Sequence, residues 1–114
     1  MAYGRKVSWE TLREVAFGGI GAGYATVGAA TSELCRQFSI YNSTDQDIYV
    51  SFDGIYDNLR IASGTGQVHD CTTNKTRDDG FFVPLRTYFY VKRTGAAPTS
   101  GNVWIQVMVA SGGI

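Results

Sequence analysis

The chain has few of the residues that act in many enzymes and metal sites, since its 114 residues include one histidine and two cysteines. It also has only two prolines. Lys plus Arg number 10 and Asp plus Glu number 10, so the formal net charge is zero. A chain without net charge has no overall field to attract nucleic acid or an anionic membrane. The basic residues are scattered, without the aromatic-lined basic stripe that single-strand binders use. We therefore expect neither nucleic acid nor a membrane as a partner.

Long apolar runs are missing as well. No apolar leader follows residues 1–6, and no stretch approaches the roughly 18 apolar residues of a membrane span. We therefore expect the chain to be made in a cytoplasm and to stay soluble there. Cys35 and Cys71 stand far apart and outside any CxxC spacing, which disfavours a zinc or redox site and predicts two reduced thiols.

His69 is the residue to weigh for catalysis or metal binding, because Asp70 and Cys71 follow it directly. On a strand His69 and Cys71 would share one face, where a base and a nucleophile could meet. No orienting third group or oxyanion loop accompanies them, so a polar strand residue beside a buried thiol is the preferred interpretation. We expect no catalytic residue, no cofactor and no metal site.

Two loop patterns suggest ligands only at first sight. Residues 19–23 (GIGAG) resemble a phosphate-binding loop, but neither a helix nor a Gly-Lys-Ser/Thr closure follows them. Aspartates cluster in the predicted turns, where their side chains cap local amides; calcium bound across two such loops is the alternative. The aspartates in question are Asp45, Asp47, Asp53, Asp57, Asp78 and Asp79.

Residues 1–33 differ in composition from the rest of the chain. Ser8 is placed to cap a short helix over residues 9–14. Residues 17–31 are rich in glycine and small side chains, which neither favour a helix nor fill a core. We expect an extended N-terminal arm with one short helix, held in place by a neighbouring molecule. Short strands near residues 14–18 and 24–27 are an option within that arm.

From residue 34 onward, apolar and polar residues alternate as they do in strands with one buried face. A turn cluster at residues 42–46 separates the first two runs and predicts a hairpin. No segment is suited to a helical crossover, so residues 34–114 are expected to form an all-β domain, an antiparallel β-sandwich or barrel. The predicted strands cover residues 34–41, 47–53, 58–62, 67–72, 87–92 and 102–109.

Some large side chains fall opposite the aliphatic faces of their strands, as Tyr49, Trp104 and Met108 do. They form either the second face of the core or an exposed anchor patch for a partner. Large side chains in the N-terminal segment are further candidates for partner contacts. The full set of partner-binding candidates is Trp9, Phe17, Tyr24, Tyr49, Trp104 and Met108.

Several strings of the chain occur together in a familiar order. They are residues 10–13 (ETLR), 16–20 (AFGGI), 41–45 (YNSTD), 50–54 (VSFDG), 81–84 (FFVP), 90–92 (YVK) and 99–105 (TSGNVWI). Taken as a whole, the chain resembles small virion structural proteins of tailed bacteriophages, in particular the jelly-roll-like cement or decoration proteins of short-tailed phages. These strings are strand and turn patterns without a catalytic motif.

The resemblance implies a non-enzymatic role in the virion: a jelly-roll-like β-sandwich over junctions between major capsid subunits, with a terminal arm reaching a neighbour. Partners would be the major capsid protein and neighbouring copies of the chain, as a homo-oligomer on the particle. The same small sandwich is also used among head-to-tail connector, collar and tail proteins, where portal or tail proteins would be the partners.

Two other classes of function compete with the structural one. The first is a carbohydrate-binding module that stacks sugar rings on Tyr49, Tyr56, Tyr88 and Trp104. The second is a small hydrolase or metal-dependent enzyme centred on His69, which the residues around it support least.

Overall fold

A computed structural model describes residues 6–32, 35–70 and 86–111 of the chain. These residues form nine strands and one 3-10 turn at Phe17–Gly19. The strands are β1 (Lys6–Trp9), β2 (Arg13–Ala16), β3 (Ala25–Thr26), β4 (Cys35–Asn42), β5 (Ile48–Ser51), β6 (Leu59–Ile61), β7 (Thr65–Asp70), β8 (Tyr90–Arg93) and β9 (Asn102–Ser111).

The strands are arranged in two sheets. Sheet A has the order β1-β9-β4-β7, with β2 also paired to β9, and sheet B has the order β3-β8-β5-β6. Every strand pair among the described residues is antiparallel. The all-β, antiparallel class predicted from the alternating pattern is therefore confirmed.

The two sheets share one apolar core. In β9 the alternate residues Val103, Ile105, Val107 and Val109 are all buried, as the sequence pattern predicts. Phe89, fully buried just before β8, lies with its ring centroid 5.4 Å from that of Phe38 in β4 and so joins the two sheets. Removal of these side chains from water is the main source of folding free energy. The remaining core residues include Ile20, Val27, Cys35, Ile40, Ile48, Val50, Ile61 and Val91.

The hairpin predicted around residues 42–46 is wrong. β4 belongs to sheet A and β5 to sheet B, so the connection between them crosses from one sheet to the other. Asn42 is fully buried at this crossing. Its side-chain nitrogen donates to the Gln46 carbonyl at 2.9 Å and the Ile61 carbonyl at 3.0 Å, while its oxygen accepts the Thr44 amide. A buried amide that satisfies three backbone groups fixes the crossing.

The short helix predicted over residues 9–14 is also wrong, because β1 and β2 occupy this part of the chain. β9 is ten residues long and offers an edge on which both short strands pair. Trp9 lies opposite Met108, and Arg13 lies opposite Ile105. A single helical turn is marginal on its own, so pairing with an established strand determines the local structure.

The described part of the N-terminal third, residues 6–32, packs on its own chain instead of extending as an arm. It contributes β1 and β2 to sheet A and β3 to sheet B. Val27 is fully buried, and the backbone of Thr31 donates to Thr87 and accepts from Arg86. The optional strands near residues 14–18 and 24–27 correspond to β2 and β3. The boundary expected at residue 33 lies outside the described residues.

Candidate binding surfaces

The residues predicted to contact partners do not form one surface. We name the outer side of sheet A face A and the outer side of sheet B face B. Trp9, Trp104 and Met108 lie on face A, whereas Tyr24 and Tyr49 lie on face B. Phe17 is exposed in the 3-10 turn between β2 and β3. A single stacking platform built from Trp104, Tyr49, Tyr56 and Tyr88 is therefore ruled out, because Trp104 and Tyr49 lie on opposite faces.

Face A exposes several large apolar side chains. Trp9 is 61% exposed, Leu12 50%, Tyr41 44% and Val68 65%. The rings of Tyr41 and Trp104 stack across β4 and β9, nearly parallel at 9° with centroids 5.8 Å apart. Contiguous exposed apolar patches often mark binding surfaces, whereas single exposed apolar residues are common on any protein. Because Ile40 faces the core, the period-two pattern of the strand predicts from the sequence alone that Tyr41 points outward.

Three adjoining hollows form a groove across face A, with volumes of about 330, 290 and 150 Å³. Gln106, exposed in the middle of β9, lines all three. The Ser39 hydroxyl donates to its side-chain oxygen at 3.3 Å. The groove is lined by Trp9, Glu10, Leu12, Gln37, Phe38, Ser39, Tyr41, Val68, Trp104 and Gln106. We call this set the face A groove.

Beside the groove, a cleft of about 520 Å³ contains the ion pair of Glu10 and Arg13. Arg13 Nη2 lies 2.6 Å from Glu10 Oε1, and the two side chains are 5% and 10% exposed. The Ser32 amide and hydroxyl donate to the other carboxylate oxygen, at 2.9 and 2.8 Å. Burial alone would raise the pKa of Glu10, but these bonds from Arg13 and Ser32 hold it below its usual value. Glu10 is thus a paired, ionised structural group.

A polar cluster stabilises face B. The Lys92 ammonium lies 3.2 Å from Asp57 Oδ1 and 4.7 Å from the centroid of the Tyr24 ring. It also lies 5.7 Å from the Tyr49 ring centroid, and the Tyr24 hydroxyl donates to Asp57. Burial, together with this bond to a carboxylate, raises the pKa of Tyr24 far above its usual value, so the phenol stays protonated. The charged groups of the cluster interact with one another and with the tyrosine rings, and these contacts order the side chains around them.

The loop at residues 52–58, which follows β5, exposes two large apolar side chains. Ile55 is 72% exposed and Tyr56 68%. Asp53 Oδ1 accepts from the amides of both residues, at 2.9 and 3.0 Å, and from the Ser51 hydroxyl at 2.8 Å. These amide hydrogen bonds lower the pKa of Asp53. We call Ile55 and Tyr56 the loop tip.

Further hydrogen bonds fix the base of this loop. Asn58 accepts the Phe52 amide on its side-chain oxygen at 2.9 Å, and its own amide donates to the Val50 carbonyl at 3.0 Å. Gly54 has φ +75°, and a Cβ there would lie 3.2 Å from the Tyr90 ring, so the turn packs closely on sheet B. The loop tip is therefore held by a rigid support. The sequence does not single out Ile55, whose only signal is that it is an isolated large apolar residue inside a turn.

His69 is packed against neighbouring side chains of the sheet. Its half-buried ring stacks on Phe38 with centroids 5.0 Å apart, and Nε2 lies 2.9 Å from the Gln67 side-chain oxygen. Both contacts are those of a packed strand residue. Cys71, its proposed companion in a nucleophile and base pair, lies outside the described residues.

Asp53 caps local amides as predicted, whereas Asp45 and Asp47 accept amides from distant parts of the chain. Asp45 accepts from the Thr99 amide at 2.8 Å, and Asp47 accepts from the Ser63 amide at 2.9 Å. Within residues 6–32, 35–70 and 86–111, no three His, Cys, Asp or Glu side chains come together as metal ligands would. Asp78 and Asp79 lie outside these ranges. Residues 19–23 lead into strand β3, without the helix that a phosphate-binding loop requires.

None of the helical structure in the described residues has the length and apolar character needed to cross a membrane. Comparison of the chain with protein-family models, with curated proteins and with solved structures gives no match.

Proposed function

We propose that this chain is a non-enzymatic structural protein of a tailed-phage virion, most specifically a jelly-roll-like cement or decoration protein that stabilises contacts between major capsid subunits. It is made in the host cytoplasm and acts on the particle, with the major capsid protein and neighbouring copies of itself as partners. The strand and turn strings of the sequence and the two-sheet fold both fit this role.

The observation that supports docking most strongly is the loop tip. Ile55 and Tyr56 expose most of their side-chain surface, yet their backbone is already fixed by Asp53. A rigid apolar anchor loses little conformational entropy on binding, so more of its buried area contributes to affinity. Tyrosines are enriched among the residues that dominate binding energy at protein interfaces.

The surroundings of the loop tip have the composition of a protein interface. Tyr88 is 42% exposed, and its ring lies 6.1 Å from that of Tyr90 on face B. The ion pair of Lys92 and Asp57 lies beside Tyr24, whose ring centroid is 6.5 Å from that of Tyr90. Aromatic anchors inside a polar rim are typical of protein–protein contacts. Face B and the loop tip together are the surface we assign to the particle.

Position in the particle decides between two versions of the proposal. A cement protein covers repeated junctions on the capsid surface, so its copy number follows that of the major capsid protein. A connector, collar or tail component occupies one vertex, and its partners are portal or tail proteins. The same docking surface serves either role.

Quantitative mass spectrometry of purified particles from the phage that encodes the chain tests this function. We expect high, symmetric copy number and, after deletion of the gene, particles that open at lower temperature. A copy number near that of a single vertex moves the protein to the connector or tail. Absence of the chain from purified particles overturns the structural function altogether.

A further inference from the structure

We propose that the face A groove binds a neutral oligosaccharide, as a second function on the side of the molecule opposite the docking surface. The groove is concave and mostly apolar, with a small number of polar groups at its base. This is the usual composition of a site for a small or extended ligand, whereas the loop tip projects from its support as a protein anchor does.

The aromatic residues of the groove suit the ring faces of sugars. Tyr41 and Trp104 line its largest hollow and hold each other nearly parallel. Trp9 lies at the other end, opposite Met108, four residues along β9 from Trp104. At about 3.4 Å per residue, that spacing is on the order of 14 Å, the span of a short oligosaccharide. The C–H groups on one side of a pyranose carry partial positive charge and pack on the negative face of an aromatic ring.

The polar groups at the base of the groove suit sugar hydroxyls. Gln106 lines all three hollows, and Ser39 lines two of them. A carboxamide offers both a donor and an acceptor, which matches two neighbouring hydroxyls of a sugar. The Ser39 hydroxyl already donates to Gln106 and so orients this carboxamide.

Charge argues for a neutral ligand. Among the described residues, Glu10 is the one charged group in the lining, and its carboxylate is committed to Arg13 and Ser32. Glu14 lies opposite Trp104, and its carboxylate accepts a hydrogen bond from Asn102. No Arg or Lys in the described ranges lines the hollows to bind a sulfate, a carboxylate or an acidic peptide. A neutral polyhydroxylated chain satisfies the groove without leaving a charge unpaired.

The chain carries its own reporter for this site. Its two tryptophans, Trp9 and Trp104, both line the groove. A sugar stacked on either indole removes water from it, so ligand binding changes the intrinsic fluorescence. Partners that bind at the loop tip lie on the other sheet.

The test uses the full chain and a printed array of neutral and anionic glycans, followed by fluorescence titration with cellotetraose, maltotetraose, chitotetraose and the neutral glycans that score. We expect saturable binding of at least one neutral oligosaccharide. Trp104→Ala and Gln106→Ala should each weaken it by about tenfold or more. Tyr56→Ala, at the loop tip, is the matched control and should bind as the wild type does.

Three results would overturn the glycan site. They are a lack of saturable binding by every glycan on the array, binding that survives both groove substitutions, and concentration-dependent self-association that Trp104→Ala abolishes. The last result would assign face A to a second copy of the chain. None of these outcomes depends on virion membership, since Tyr56→Ala and the particle measurements report on the other face.

Discussion

Glu10 and Arg13 form a buried ion pair at the point where β1 gives way to β2, with 2.6 Å between Oε1 and Nη2. Arg13 Nε also donates to the Ala29 carbonyl at 2.9 Å, and its guanidinium lies 5.7 Å from the Phe89 ring centroid. Glu10 in turn accepts from Ser32. The pair therefore ties the N-terminal strands of sheet A to the segment that follows β3.

We expect Glu10→Gln to lower the free energy of unfolding by about 3 kcal/mol, because it leaves the buried Arg13 charge without its counterion. Glu10→Gln combined with Arg13→Met should recover part of that loss, since neither charge remains. Urea denaturation monitored by fluorescence measures both values.

The exposed pair of Arg60 and Asp47 is the control for this experiment. Its side chains are 59% and 33% exposed, so solvent screens their attraction. Arg60→Gln should change the unfolding free energy by less than about 1 kcal/mol. Equal losses in Glu10→Gln and Arg60→Gln would show that burial of the first pair has no energetic role.

The backbone conformation at position 101 requires a glycine. Gly101 directly precedes β9 and has φ +89°. A Cβ on Gly101 would collide with the carbonyl of Ser43. Gly101→Ala should destabilise the protein by about 2 kcal/mol or more. A Cβ added at Gly95 would meet no heavy atom within 4 Å, so Gly95→Ala should be neutral within about 1 kcal/mol. Thermal unfolding of the two variants gives the comparison, and equal midpoints would refute it.

Asn42 should be among the most sensitive polar residues of the chain. Asn42→Ala removes the donors to Gln46 and Ile61 and the acceptor for Thr44 in a fully buried site. We expect a loss of about 2–4 kcal/mol, since unsatisfied buried groups cost more than a surface hydrogen bond contributes. Ser39→Ala, which removes one bond on face A, should cost less than about 1 kcal/mol. A tolerant Asn42 would mean that other contacts fix the crossing between the sheets.

Stability should fall in acid. Amide, hydroxyl and guanidinium donors lower the pKa values of Asp45, Asp47 and Asp53 in the folded protein. A carboxyl group with a lowered folded pKa stabilises the fold above its unfolded pKa and loses that contribution as the pH falls through the folded pKa. The unfolding free energy should therefore hold near neutrality and decline below about pH 4. Asp53→Asn should flatten that decline in urea titrations at several pH values; an unchanged slope would contradict the assignment.

Alternating residues allow much of sheet A and sheet B to be predicted. In β9 the buried residues Val103, Ile105, Val107 and Val109 follow period two, because this side of the strand faces the core. The same rule places Ile48 and Val50 inward in β5. Strand partners, however, depend on contacts distant in sequence. The turn cluster after β4 has the composition of a hairpin loop, but β4 and β5 pair in different sheets, and Asn42 is buried at the crossing between them.

The candidate surfaces are harder to predict than the core. The predicted outward positions of Trp104 and Met108 make them candidates for binding, and the fold places them with Trp9 on face A. Leu12 and Val68 complete that patch but lie in segments without clear alternation. The N-terminal helix is predicted from local capping preferences alone. Those preferences are weak compared with pairing along the ten residues of β9.

Co-sedimentation of the purified protein with phage particles that lack it tests the docking function most directly. The double variant Ile55→Ser/Tyr56→Ser removes the loop tip from a surface position, so the fold should remain intact. Tyr41→Ala, on face A, serves as the control. We predict that the wild type and Tyr41→Ala bind the particles alike, while the double variant binds at least about tenfold more weakly. Wild-type protein that fails to bind, or a double variant that binds equally well, would contradict the account.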